Sequence, residues 1–216
     1  MTLDLHTIAV FSVVEFSGVA AGALAGALEA RRERKYQYDL VGVLGLALIT
    51  ALGGGITRDV LIQKGPPLAF MDLRYMLVAF GAGIVALLFG SSAGPRVLRV
   101  IWIADAASLG FFSVAGVSRA LNAGLPVLAA LILGLITAVG GGSLRDVVMG
   151  RTPRVFEKGE PYTIAALLAV LVFLVGDRLG WDRSISTTAG AASGLVLKLL
   201  AARFKWNTPA VGFHAE

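Results

Sequence analysis

The chain has 216 residues, 56% hydrophobic and 15% charged, with a mean hydropathy of +0.79. Soluble domains carry about 25% charged residues, so this composition argues against a water-soluble enzyme and for an integral membrane protein. Cysteine is absent, which excludes a disulfide framework, a thiolate metal site and a thiol nucleophile; the net charge of +5 reads as loop charge that sets topology, not as a nucleic-acid surface.

A helix that crosses the hydrocarbon core needs about 20 mostly apolar residues. Seven segments qualify: 7–28, which contains Glu15; 40–62; 74–90; 97–119, which contains Asp105; 126–149; 162–175; and 184–203, the least apolar. The first carries Asp4 and Glu15 and has no basic leader or cleavage stretch, so it reads as a helix of the mature chain. The fold class is therefore all-α and polytopic, one membrane domain over 1–216.

Loop charge predicts the orientation. Arg31, Arg32, Arg34, Lys35, Arg96, Arg99, Arg151, Arg154, Lys158, Arg203 and Lys205 fall on one side; Lys64, Arg74, Arg119, Arg178 and Arg183 fall on the other. The richer side is expected in the cytoplasm, with the N-terminus outside and the C-terminus inside. The run from Arg31 to Lys35 could also hold anionic headgroups.

One stretch occurs twice. Residues 46–60 and 133–147 are identical at eleven of fifteen positions and include Gly53-Gly54-Gly55 with Arg58-Asp59, and Gly140-Gly141-Gly142 with Arg145-Asp146. The same offset pairs Pro66 with Pro153. An internal duplication is the economical explanation. The triplets lie in the second and fifth spans, and an odd spacing of three spans reverses the direction of crossing. The prediction is a 3+3 inverted repeat, 7–90 and 97–180, plus a seventh helix at 184–203. Such repeats place a pathway at their interface near the bilayer midplane.

Three consecutive glycines weaken a helix by about 1 kcal/mol each relative to alanine. They serve either close helix packing or a kink that opens the helix beside a pathway; their recurrence in both halves favours the kink. Thr50, Thr137 and Ser143 are the polar neighbours of these glycines. Ser143 and Asp146 have capping-box spacing, as if a helix restarts there. Arg58-Asp59 and Arg145-Asp146 are either interfacial pairs with snorkelling arginines or a charged latch at each end of a pore. Glu15 and Asp105 occupy the first helix of each unit. Ionisable groups there cost about 2.5–3.5 kcal/mol on insertion scales and face the bundle interior; a structural pair with Arg58 or Arg145, or a cation-attracting role, would each account for them. Glu15 shares its face with Gly18, Gly22 and Gly26, and Gly190 and Gly194 form a second small-residue face. No Ser-His-Asp, Cys-His or metal-spaced histidine arrangement occurs, so no enzyme, cofactor or metal is expected.

On the two Gly-Gly-Gly-x-x-Arg-Asp motifs, with Glu15, Asp105 and the seven spans, the chain resembles the prokaryotic branch of the trimeric intracellular cation (TRIC) channel family, over nearly its whole length. That resemblance implies a homotrimer in the bacterial inner membrane. It implies one potassium-permeable pore per protomer, lined by kinked second and fifth helices with parts of the first and fourth. The Lys-Glu-Val motif of animal members is absent. Bacterial relatives are also labelled putative glycine transporters. This keeps a second expectation open, in which Arg58 or Arg145 holds the carboxylate of a small zwitterion and Glu15 or Asp105 meets its ammonium.

Overall fold

The computed structural model describes residues 5–89, 95–159 and 161–208. The helices in chain order are α1 (Leu5–Arg32), α2 (Leu40–Ile62), the single turn α3 (Leu68–Met71), α4 (Leu73–Phe89), α5 (Pro95–Asn122), α6 (Val127–Val148), α7 (Tyr162–Arg178) and α8 (Arg183–Arg203). A short 3-10 turn at Arg154–Phe156 precedes α7. The seven expected spans coincide with the seven long helices among the described residues to within a few residues. By length and composition alone, four segments among the described residues could cross a membrane: Ser12–Arg32, Leu40–Ile62, Val127–Val148 and Arg183–Arg203. Helices α4 and α7 have only 17 residues each, and α5 is interrupted by charge.

The helix boundaries follow from local chemistry. Asp39 caps α2, its Oδ1 accepting from the Gly42 N–H at 2.7 Å, and Asp182 caps α8 by accepting from Ser184 at 2.8 Å; each carboxylate satisfies one of the orphan N–H groups of a first turn. Gly124, at φ 82°, closes α5, and Gly180, at φ 75°, joins α7 to α8. These left-handed positions suit a residue without Cβ.

Helices α2 and α6 pack against each other at the centre. Helix α1 lies on α2, α5 lies on α6, and α1 and α5 pack together; α4 covers α1 and α2, and α7 covers α5 and α6. Helix α8 packs on α7 and α5. Small residues set these distances. A Cβ at Gly54 would stand 2.2 Å from the Thr137 carbonyl oxygen, and one at Gly141 would stand 2.1 Å from the Thr50 carbonyl oxygen. Residue 50 thus meets 141 while 54 meets 137, so the register runs in opposite senses along the two helices. Both helices run unbroken through their glycines, and the helix restart expected at Ser143 does not occur. Without a hydrophobic drive between helices in lipid, such close backbone approach supplies the packing attraction.

Both small-residue faces turn inward. Gly18 abuts Phe112 of α5, Gly22 abuts Ala51, and Gly26 abuts Thr50 and Leu46 of α2. Gly190 and Gly194 abut Ala169 and Ala165 of α7. Polar ties join the helix ends. Arg31 donates to the carbonyls of Ala86 and Leu87 at the end of α4, so one member of the basic run serves as a helix cap. Arg154 pairs with Glu29, tying the α6–α7 connection to the end of α1. At the opposite ends, Lys64 donates to the Ala123 carbonyl, and Arg183 Nη2 donates to Ser118 at 2.9 Å and Asn122 at 3.1 Å.

Candidate functional site

Two small chambers, each lined by apolar residues and a few buried charged groups, flank the glycine crossing. The first is bounded by Glu15 of α1, Gly55, Arg58 and Asp59 of α2, Leu68 of α3 and Tyr75 of α4. The second is bounded by Asp105 of α5, Gly142, Ser143, Arg145 and Asp146 of α6, and Arg154 and Tyr162. The repeat offset of 87 carries Gly55, Arg58, Asp59 and Tyr75 onto Gly142, Arg145, Asp146 and Tyr162. The first helices obey an offset of 90: Glu15 matches Asp105, and Gly26, against Thr50 Oγ1, matches Gly116, against Thr137 Oγ1.

Each arginine of the duplicated motif pairs with the aspartate that follows it, and both pairs are interior. Arg58 Nε donates to Asp59 Oδ1 at 2.8 Å. Arg145 Nε and Nη2 donate to Asp146 Oδ1 at 2.9 and 2.8 Å. Arg58 is 3% exposed and Arg145 1%, so neither arginine reaches the headgroups; the snorkelling alternative is set aside. The second oxygen of each aspartate accepts from a backbone N–H, Leu68 at 2.9 Å and Arg154 at 3.4 Å. Each pair is thereby anchored to the connection that follows its helix. Arg145 Nη1 is buried and has no hydrogen-bond partner among the described residues.

The two helical acids find different partners. Glu15 lines the first chamber together with Tyr75 and Arg58. Asp105 corrects the expectation of an arginine partner: its Oδ2 accepts from Lys198 Nζ of α8 at 2.5 Å, and the Tyr162 hydroxyl stands 3.5 Å from Oδ1. Lys198, Tyr75 and Tyr162 were absent from the sequence reading. Both tyrosines were detectable, because they obey the 87-residue offset. Lys198 is the lone charge inside the last apolar span, itself a signal.

The glycines divide their tasks. Gly54 and Gly141 form the crossing; Gly53 abuts Leu144, and Gly140 abuts Gly54. Gly55 and Gly142 face the chambers; a Cβ there would stand 3.8 Å from Arg58 Nη2 and 3.8 Å from Tyr162 Oη. Thr50 and Thr137 are buried, and their hydroxyls donate to Leu46 O at 2.7 Å and Leu133 O at 2.6 Å within their own helices. Ser143 is half-buried beside the second chamber.

The chambers are narrow, about 20 Å³ for the first and 10 Å³ for the second, room for about one water molecule each. A wider cavity of about 260 Å³, lined by Asp59, Lys64, Pro66, Arg119 and Asn122, adjoins the first. Arg119 Nε stands 3.6 Å from Asp59 Oδ1 at this boundary.

Buried charges on opposed, duplicated apolar helices define a helical membrane protein. The sequence profile of the family described as Glycine transporter matches residues 12–91 and 102–178, and the chain belongs to that family. A UPF0126 membrane protein of Bacillus subtilis is 31% identical over 205 residues, covering 92% of this chain and 95% of that one. Solved structures share the fold. One, described for conductance through TRIC cation channels, is 32% identical with TM-score 0.83, covering 95% of this chain and 99% of that chain. Another, a TRIC trimeric intracellular cation channel orthologue from Rhodobacter sphaeroides, is 29% identical with TM-score 0.83, covering 91% and 98%.

Proposed function

We propose that the protein is a potassium-permeable channel of the bacterial inner membrane, with its N-terminus outside and C-terminus in the cytoplasm, assembled as a homotrimer with one pore per protomer. In this reading residues 7–90 and 97–180 form two inverted units, and the path runs between them through both chambers. The observation that carries it is the matched pair of chambers, each with a helical carboxylate, an arginine already neutralised by its own aspartate, and a tyrosine. An unpaired arginine would repel a cation; Asp59 and Asp146 remove that barrier. The carboxylate of Glu15 then supplies the attraction, whereas Asp105 is paired with Lys198. The narrow chambers correspond to a closed state, and the glycine triplets give α2 and α6 the freedom to bend when it opens. The descriptions of the similar TRIC structures as cation channels support the same reading.

Planar-bilayer recording of the purified protein under a potassium gradient tests it. Discrete unitary currents reversing near the potassium potential are expected. A second reading, transport of glycine or a similar zwitterion, is favoured by the family description and by the unpartnered Arg145 Nη1, which could receive a substrate carboxylate. Electrical silence together with saturable glycine uptake into liposomes would decide for it.

A further inference from the structure

The acid, arginine, aspartate and tyrosine of the first chamber each have a counterpart in the second, but the two acids are held differently. In the second, Lys198 of α8 lays its ammonium on Asp105 Oδ2 at 2.5 Å and 4.1 Å from the centre of the Tyr162 ring. Lys198 is 2% exposed and Asp105 5%. In the first, among the described residues, no ion pair reaches Glu15, and α8 lies outside the duplication. With Arg119 paired to Asp59 at 3.6 Å, the charged groups of each chamber sum to zero; the difference is that a cation sits directly on Asp105 and, among the described residues, none sits on Glu15. An ammonium held between a carboxylate and an aromatic face occupies the position that a partly dehydrated alkali cation would take.

We propose that Lys198 is a tethered counter-cation: it fills the cation site of Asp105 and keeps the second chamber shut to potassium, and withdrawal of α8 from α5 frees that site. The carboxylate is already desolvated and facing the chamber, so departure of the ammonium leaves a charge that a mobile cation must balance. This inference rests on the channel reading for its consequence, and on geometry alone for the competition between Lys198 and a free cation.

The test uses the full-length protein with Lys198→Gln, which keeps length and removes charge, and with Lys198→Arg and the double variant Asp105→Asn/Lys198→Gln. Two readouts are taken. The first is the melting temperature in detergent as potassium chloride replaces N-methyl-D-glucamine chloride at constant ionic strength. A freed site binds potassium in the folded state and stabilises it by mass action. The melting temperature of Lys198→Gln should therefore rise with potassium, while wild type, Lys198→Arg and the double variant stay flat. The second is bilayer recording, where Lys198→Gln should show open probability or unitary conductance at least about twofold above wild type. A flat potassium response in Lys198→Gln overturns the proposal. A rising response with every protein electrically silent upholds the competition and overturns the channel reading instead. If Lys198→Gln does not fold, the double variant decides: with the tethered charge gone and no carboxylate left unpaired, conductance above wild type supports the barrier, and wild-type currents overturn it.

Discussion

Gly54 of α2 lies so close to Thr137 of α6 that a Cβ on residue 54 would stand 2.2 Å from the threonine carbonyl oxygen. The duplicate contact, Gly141 against Thr50, is as tight at 2.1 Å. The obstacle in each case is backbone, which cannot rotate away. Gly54→Ala or Gly141→Ala must push the central helices apart, at about 1–3 kcal/mol for overpacking. Gly45→Ala, where nothing lies within 4 Å, should be neutral or stabilising by up to about 1 kcal/mol through helix propensity. Thermal unfolding in detergent should separate the two classes; equal melting temperatures would mean that the crossing is not tight.

Arg145 is the more enclosed of the two latch arginines, held on Asp146 and otherwise lining the second chamber. Arg145→Ala removes the positive charge beside the path. Single-channel recording should show open probability or conductance raised several-fold. Unchanged currents would take Arg145 out of the pathway. The variant should also be less stable by about 3–5 kcal/mol, because Asp146 is left buried without its partner.

Glu29 is nearly inaccessible, whereas its partners Arg154 and Arg151 are 41% and 36% exposed at their side chains. Solvent screens such a pair, so Glu29→Gln should cost only about 1 kcal/mol. The loss should shrink as salt rises. Melting curves at low and high salt check both statements, and a salt-independent loss would assign Glu29 a packing role.

Asp72 precedes α4 and holds Arg74 through both carboxylate oxygens, at 3.0 and 2.9 Å to Nε and 2.6 Å to Nη2. This hydrogen bonding to Arg74 keeps the Asp72 carboxyl below the usual aspartate value. A carboxyl with a depressed folded value contributes stability that is fully present above its unfolded value and is lost as pH falls through the folded one. Wild type should therefore lead Asp72→Asn at neutral pH and lose that lead on acidification. A melting-temperature difference that is constant with pH would remove Asp72 from the acid response.

The helical, membrane-embedded character, the seven long helices and the duplicated glycine and arginine–aspartate motifs could all be read before any coordinate. Hydropathy over about 20 residues and repetition at a constant offset are properties of the chain itself. The pairing of each arginine with its following aspartate was legible for the same reason, since the partners are adjacent. The use of the glycines was not. A triplet permits bending and close contact alike, and only the neighbour, the carbonyl of Thr137 or Thr50, decides that α2 and α6 continue through it side by side. Nor could the partners of Glu15 and Asp105 be read off. An acid buried in a bundle demands a partner but does not name one, and the candidates lay on every other helix. Lys198 meets Asp105, and Tyr75 shares a chamber with Glu15, because α8 and α4 pack where they do, 93 and 60 residues along the chain from those acids. Local pattern determines which residues must be buried; the distances between packed helices determine which of them meet.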